Sequence, residues 1–386
     1  ERICIEHPEF FGRFFDNNGP RTLGFDIETY SPDSTFPFGE DYPIVTIGVV
    51  TSDQDERVFY WDGESDKDCI QEFLDFVKEF NPDIIYGYNI IGYDIPQIEY
   101  RALTHGINIE RYFNRENWSS KLKADLTLKK NTMRCWGRII VDVFNFTRRD
   151  YALSGIPKSL KSVAEFYGQH PQELDFRTRN ILDYDEKIIK EYVISDCLVT
   201  KFLFNHYFQQ HLFVAEVLKV PLELYLNGSD SFITKILQGR SLYKQGILTI
   251  NKNKDRHSEI TTFQAAHIDL YKPGFHRENY KVDFKSMYPS IAMALNLGPD
   301  TTRILRTEEY NIKKFGSVVE GDRVLLTIPD NVINKNVIIE VDQDRKSSLY
   351  TMSKQFKEMR EPYKKQGTQE ATSRSNALKI MVNTFY

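Results

Sequence analysis

LGFDIETY, residues 23–30, is the stretch on which the fold turns. Leu23, Phe25 and Ile27 alternate with Gly24, Asp26 and Glu28. In a strand, residues two apart share a face. Asp26 and Glu28 therefore project together, with Phe25 and Ile27 on the other side. Two close carboxylates repel, and the pair is costly unless a cation or a proton lies between them. A divalent metal is the economical solution, and all-oxygen ligands suit magnesium or manganese. An exposed edge strand with two solvated acids has the same local pattern, so neighbouring segments must decide.

Working outward, residues 44–50 (IVTIGVV) and 56–61 (ERVFYW) read as further strands, rich in β-branched and aromatic residues. In KDCIQEFLDFVKEF (67–80), Ile70, Phe73, Leu74, Val77 and Phe80 recur at three and four. That spacing predicts an amphipathic helix, stopped before Pro82. DIIYGYN (83–89) reads as a buried strand entering a glycine-marked turn, GRIIVDVF (137–144) as another strand, and 159–167 and 184–209 as helices. Strands alternating with helices indicate an α/β layer fold, with this unit ending near residue 208. From 209 to about 268 the pattern is mainly helical, broken at Pro221 and at NGSDS (227–231). Residues 279–285 (NYKVDFK) return to strand, followed by Pro289 and a helix; 323–328 and 336–341 are strands. From about 346 two helices are expected, with polar QGTQEATS (366–373) between them.

Composition narrows the class. Apolar residues make up 41% of the 386, enough to build sizeable cores. No run approaches a membrane span and no secretory pattern opens the sequence. Cys4, Cys69, Cys135 and Cys197 are scattered without a C-x-x-C pair, which fits a reducing, cytoplasmic or host-cell interior. The net charge of −5 gives no global nucleic-acid signature. It does not exclude one, because a metal site beside phosphates needs local acids, and KLKADLTLKK (121–130), RTRN (177–180) and YKKQ (363–366) are basic. Each of these three is read first as a solvated face.

Two segments give the acid pair its context. YGYNIIGYDIPQI (86–98) places Asp94 at a turn after a buried strand, preceded by Asn89 and Tyr93. Loops at strand ends are where α/β folds carry chemistry. EYVISDCLVT (191–200) puts Tyr192 and Asp196 one helical turn apart, on one face. D-x-E, then N-x-x-x-Y-D, then Y-x-x-x-D, in this order, resemble the three motifs of the DEDDy 3′–5′ exonucleases. More narrowly, they resemble the proofreading domain of family B DNA polymerases. GRIIVDVFNFTRRDYALSGIPKSLKSVAEFYG (137–168) is similar to the segment that domain carries between its second and third motifs. The resemblance implies a ribonuclease H-like (DnaQ-like) α/β fold with a mixed sheet flanked by helices. It also implies two divalent ions, Mg2+ or Mn2+, about 4 Å apart. Asp26 would bridge them, Glu28 and Asp196 would complete the site of the attacking water, and Asp94 would serve the second ion. Tyr192 would orient the nucleophile, and Asn89 and Tyr93 would touch the terminal nucleotides. Phe25, Tyr93 and Phe146 are candidate stacking platforms for unpaired bases, a core role being the commoner one. Asp142 is a fifth acid, read as supporting or structural.

A second constellation follows. YKVDFKSMYPSIAMALNL (280–297) delivers Asp283 from a strand, then Ser286 and Tyr288 at the turn into a helix. An acid followed by backbone amides at a helix start suits a metal-bound triphosphate. The stretch resembles motif A of family B polymerases, with Met287 for the usual Leu. By that resemblance Asp283 is a metal ligand and Tyr288 lies under the nucleotide sugar. YKPGFH (271–276) is similar to the family's Y-x-G-G motif, with Tyr271 and Gly274 as DNA contacts and Pro273 in place of the first glycine. SNALKIMVNTFY (375–386) resembles motif B: Lys379, Asn383 and Tyr386 share a helix face, and Lys379 would hold the incoming triphosphate. On the preceding helix Lys354 and Lys357 are candidates for a second basic group, and Ser353 stands where an arginine is expected.

The expected organisation is a remnant of an N-terminal domain (1–20), a 3′–5′ exonuclease domain (21–208), a helical connection with a partial palm (209–345) and partial fingers helices (346–386), the last two being α+β. Motif B breaks off at Tyr386 and no D-T-D turn follows. The sequence therefore reads as a truncated polymerase or as one half of a split one, with polymerisation not expected from this chain alone. The implied partners are a single-stranded DNA 3′ end, primer-template, dNTP in the complete enzyme, a C-terminal polymerase half and a sliding clamp, with no membrane. The alternatives are an interaction subunit that completes a palm with another chain, and a stand-alone DEDDy exonuclease.

Overall fold

Strand β1 (Thr22–Thr29) is the middle of a five-stranded sheet with β2 (Ile44–Thr51), β3 (Glu56–Tyr60), β4 (Ile84–Gly87) and β5 (Ile139–Asp142). The order is β3-β2-β1-β4-β5. β1 runs antiparallel to β2 and parallel to β4, so the sheet is mixed. A computed structural model describes residues 19–31, 36–115, 135, 137–176, 179–227, 230–248, 271–278, 280, 282, 284, 286–314, 316–330 and 333–383. The described residues form two compact units, one of 19–212 with 221–227, the other of 213–220 with 230–383.

In the first unit every residue of β2 is buried, because helices cover both faces of the sheet. On one face lies α1 (Lys67–Phe80), which buries Ile70, Phe73, Leu74 and Val77 against Leu23, Phe25 and Ile27. Asn81 ends α1 in the left-handed conformation, with its N–H bonded to the Val77 carbonyl. Asp66, fully buried ahead of α1, accepts from the Ile44 N–H at 2.9 Å and from Arg101 Nε and Nη2 at 2.8 Å each. Arg101 belongs to α2 (Asp94–Thr104). One carboxylate thus ties β2, α1 and α2 together.

A short helix α3 (Glu110–Phe113) follows, and then, after β5, α4 (Val143–Arg149) and α5 (Leu160–Phe166). The strand expected over 137–144 stops at Asp142. Its carboxylate accepts the Phe144 N–H and caps α4, which turns the chain into a helix. The long helix α6 (Glu186–Leu218) continues well past the expected end at 209. It packs on the other face of the sheet where Gly48 leaves room. A Cβ at Gly48 would lie 2.9 Å from Val193 Cγ2 and 3.2 Å from Cys197 Sγ. Helix α7 (Leu222–Asn227) completes this unit.

The second unit holds α8 (Asp230–Lys244), α9 (Met287–Ala294), an antiparallel sheet in the order β6-β9-β8-β7 (Thr302–Glu309, Lys335–Asp342, Arg323–Asp330, Gly316–Glu320), α10 (Ser348–Gln366) and α11 (Gln369–Asn383). Leu326, Ile339 and Val341 pack with Leu295 and Leu297 beneath the sheet. Asn296, Asp300 and Ser347 form a polar hub. Asn296 Nδ2 donates to the Asp342 and Arg345 carbonyls at 2.7 Å each, and Asp300 Oδ2 accepts the Ser348 N–H at 2.9 Å, at the start of α10. Strands β6 and β7 escape sequence reading, because their residues are largely exposed and polar and apolar ones do not alternate. Of the strand expected over 279–285, three residues are among those described. Tyr280, Val282 and Phe284 lie outside any strand and are exposed, so this apolar set has no sheet to join among the described residues. Six of the eight residues of the polar stretch expected between the last two helices are themselves helical, because Gly367 ends α10 in a left-handed conformation and Thr368 accepts the Ala371 N–H at 3.1 Å to start α11.

Gly48→Ala should destabilise the first unit by about 1–3 kcal/mol, the usual cost of overpacking. Chemical denaturation checks this; a variant as stable as the wild type would contradict the close approach of α6 to β2.

Candidate active site

The alternation along β1 sends Phe25 and Ile27 into the α1 core and leaves Asp26 and Glu28 on the face covered by α6. Helix α6 brings Tyr192 and Asp196 to that face. One carboxylate oxygen from each of Asp26, Glu28 and Asp196 lies within 4.8 Å of the others. Asp94 opens α2 and accepts the Ile27 N–H at 3.3 Å, which holds its carboxylate against the same strand.

The electrostatics follow from this crowding. Burial, then Asp94, Glu28 and Asp196, push the Asp26 carboxyl well above the usual carboxylate range. Burial and Asp196 push Glu28 up to about 8. Burial pushes Asp94 up to about 7, with Asp142 adding to it. Burial raises Asp196 as well, against the pull of Lys161. Lys161, in the first turn of α5, pairs with Asp196, donates to the Gln172 carbonyl at 2.8 Å and lies 4.5 Å from the centre of the Tyr192 ring. Tyr192 hydrogen-bonds Asp196, and burial followed by the nearby carboxylates raises its hydroxyl. Among the described residues, one lysine faces four acids. The surplus of oxygen donors suits a divalent cation.

The turn before Asp94 is held from below. Asn89 has a left-handed backbone, φ 66°, and its N–H donates to Asp142 Oδ1 at 2.8 Å. Ile91 N–H donates to Asp142 Oδ2 at 3.3 Å. The fifth acid therefore fixes the 88–93 turn rather than joining the cluster, and burial pushes it up to about 6. Tyr93 hydroxyl is 2.7 Å from Thr29 Oγ1 and 2.7 Å from the Pro37 carbonyl. Its ring lies 5.3 Å from that of Phe36 and 6.0 Å from that of Phe38. Phe36 is 75% exposed. Of the three candidate stacking platforms, Phe25 and Phe146 take the core role that was the commoner reading: they are buried and pack against Phe73 and against Tyr207 and His211.

Two residues of this site escape sequence reading. Lys161 lies 35 residues before its partner Asp196 and looks like any helix-surface lysine. Phe36 sits in a loop without periodicity; an aromatic just after the D-x-E strand was the one available signal.

In the second unit, Ser286 precedes α9 with a left-handed backbone, φ 50°, and its carbonyl accepts the Ser290 N–H at 2.9 Å. Tyr288 is half-exposed in the first turn of α9, and Tyr271 and Gly274 lie in an exposed loop. Lys379 is exposed on α11, and Asn383 is the last residue of that helix. Ser353 is buried on α10, and its hydroxyl has no hydrogen-bond partner among the described residues. Lys357 reaches Met293 Sδ at 3.6 Å. Asp283, Tyr386, Cys4 and the basic stretch 121–130 lie outside the described residues.

Comparison with known proteins agrees with the geometry. Residues 5–163 match the profile of the exonuclease domain of DNA polymerase family B, and residues 220–386 match that of DNA polymerase family B. The α6 segment with Tyr192 and Asp196 falls between the two matches. The chain is 26% identical to a DNA polymerase of Archaeoglobus fulgidus, over 95% of this chain and 43% of the relative. It is also 26% identical to the DNA polymerase delta catalytic subunit of Oryza sativa subsp. japonica, over 95% of this chain and 36% of the relative. Among solved structures, the family B DNA polymerase of Pyrobaculum calidifontis superposes with a TM-score of 0.69 at 26% identity, covering 97% of this chain and 47% of that one. The chain thus spans less than half the length of these relatives. The first unit has the ribonuclease H-like fold of the exonuclease domain. With two profiles of one family covering most of its length, and a solved member sharing its fold, the chain belongs to DNA polymerase family B.

Proposed function

We propose that the first unit is a 3′–5′ exonuclease that removes nucleotides from single-stranded or frayed DNA ends. The observation that carries this reading is the meeting of Asp26, Glu28 and Asp196 within 4.8 Å, beside Tyr192. Asp26, Glu28, Asp94 and Asp196 would hold divalent cations, magnesium or manganese. Such ions, when bound, supply a lowered pKa for the attacking water and charge stabilisation for the leaving oxygen. The chain's own residues do the rest. Tyr192, held by Asp196, donates or accepts a hydrogen bond that orients the water. Lys161 offsets part of the acid charge and fixes the Asp196 rotamer. Asn89 contacts the terminal nucleotide from its fixed turn. Phe36 and Tyr93 offer an aromatic surface to an unpaired base, a mode that tolerates any sequence.

The second unit is proposed to belong to the nucleotide-adding half of the same polymerase. Asp283 would be a metal ligand there, Ser286 and Tyr288 would line the nucleotide site, and Lys379 and Asn383 would face the triphosphate. Tyr271 and Gly274 would meet DNA. The match of residues 220–386 supports this reading. Primer-template, dNTP and any further polymerase subunit or clamp are partners of the whole enzyme under this proposal.

Three outcomes test the exonuclease reading. With magnesium or manganese, a 5′-labelled single strand should shorten to a ladder, and Asp26→Ala should lower the rate by roughly a hundredfold or more; undiminished shortening in that variant would refute the assignment. Phe36→Ala should raise KM for single strands severalfold with little change in kcat, since each base–aromatic stack contributes about 1–3 kcal/mol; an unchanged KM would remove Phe36 from the site.

The third outcome is a pH dependence. Glu28 titrates near 4.5 when unperturbed and near 8 in the fold. The folded state therefore binds more protons than the unfolded one between those values. The stability contributed by the protonated acids is present below about pH 4.5 and is lost as the pH rises through about 8. Metal-free protein should melt at lower temperature at pH 8.5 than at pH 6, and added Mn2+ should raise Tm more at pH 8.5. An equal Mn2+ effect at both pH values would contradict metal binding by these acids.

A further inference from the structure

Away from the acid cluster, a second group of polar side chains joins α5 to α6. Asp150 Oδ2 accepts the Tyr167 hydroxyl at 2.6 Å and the Tyr207 hydroxyl at 2.8 Å. The two hydroxyl oxygens are themselves 3.0 Å apart. Asp150 Oδ1 accepts the Ala152 N–H at 2.8 Å. Around them the Tyr167 ring lies 4.5 Å from that of His206, and the Tyr207 ring lies 5.9 Å from that of Phe146. Burial alone would raise the Asp150 carboxyl, but hydrogen bonds from Tyr167, Tyr207 and Ala152 hold it below its ordinary value. The group is thus an ionised carboxylate with its donors in place.

Its position gives it a task. Tyr167 is the C-cap of α5, whose first turn carries Lys161. Tyr207 lies on α6, three helical turns beyond Asp196, about 16 Å along the axis. The start of α5 is pinned separately, by the Tyr88 hydroxyl on the Lys158 carbonyl at 2.6 Å. A seven-residue helix pinned at one end can tilt; pinned at both, it cannot. The chain leaves α5 at Tyr167 and returns to Gln172, whose N–H donates to Ser195 Oγ at 2.9 Å and whose carbonyl is an acceptor of Lys161. Both the Lys161 helix and its second acceptor are therefore located by what happens at Tyr167.

We propose that Asp150, Tyr167 and Tyr207 are positioning residues that set α5 against α6, so that Lys161 is held on Asp196 and over the Tyr192 ring. This inference rests on the exonuclease reading for its catalytic consequence but not for its structural claim. None of the three touches the acid cluster; they act through Lys161.

Lysine acylation read by mass spectrometry tests the placement without activity. In the wild type Lys161 should react slowly, as should Lys201, which donates to the Thr51 carbonyl at 2.8 Å from the same long helix. Tyr207→Phe and Asp150→Asn should speed acylation of Lys161 by roughly tenfold, the effect of losing a hydrogen bond to a charged group, while Lys201 stays unchanged. No acceleration at Lys161, or an equal one at Lys201, would overturn the proposal. In an exonuclease assay each variant should lower kcat with KM unchanged, and neither should lower it further in a Lys161→Ala background. Additive losses there would also overturn it. Should the wild type fail to shorten DNA with either metal, the exonuclease reading falls, and acylation still decides the positioning role.

Discussion

Four carboxylates forced together against a sheet are the constraint on which the rest of the first unit depends. Asp26, Glu28 and Asp196 come within 4.8 Å, Asp94 presses on Asp26, and burial raises each of them. Left ionised and unpaired, such a cluster would be strongly destabilising. One lysine, Lys161, meets part of the charge. The surrounding structure holds the acids in place nonetheless: Asp142 fixes the turn before Asp94, and Gly48 lets α6 approach close enough to deliver Asp196. Acids kept so close to one another, with so little compensation among the described residues, suit cations that complete the cluster.

Much of this was legible in residues 23–30, because strand geometry alone puts Asp26 and Glu28 on one face and Phe25 on the other. The i, i+4 spacing of Tyr192 and Asp196 was equally direct, since a helix turn is a local property. The α1 helix was readable from its period, and its end from Pro82. What the sequence hid was tertiary. Nothing around Lys161 distinguishes it from a solvated lysine until α5 is placed against α6. Phe25 and Phe146 were read first as core rings and are buried, whereas the exposure of Phe36, a ring of the same chemistry, is set by packing that no local pattern announces. The end of β5 was misplaced by two residues because Asp142, the last residue of the strand, also caps the helix that follows.

The second unit was harder to read for a different reason. Its sheet carries exposed residues along β6 and β7, so the alternation that marks a half-buried strand is missing. Around Asp283 the opposite happens: Tyr280, Val282 and Phe284 alternate well, yet they are exposed and form no strand. Periodicity reports what a segment could bury, and burial needs a partner surface. The polar hub of Asn296, Asp300 and Ser347 organises α9, the sheet and α10 through hydrogen bonds between residues up to 51 apart, a kind of contact that no local pattern announces.

The central claim is that the acid cluster binds a divalent cation. Anomalous scattering from a crystal soaked in Mn2+ tests it most directly. The account predicts a manganese peak in contact with carboxylate oxygens of Asp26, Glu28 and Asp196. Manganese bound elsewhere on the protein, with no peak among those three residues, would contradict it.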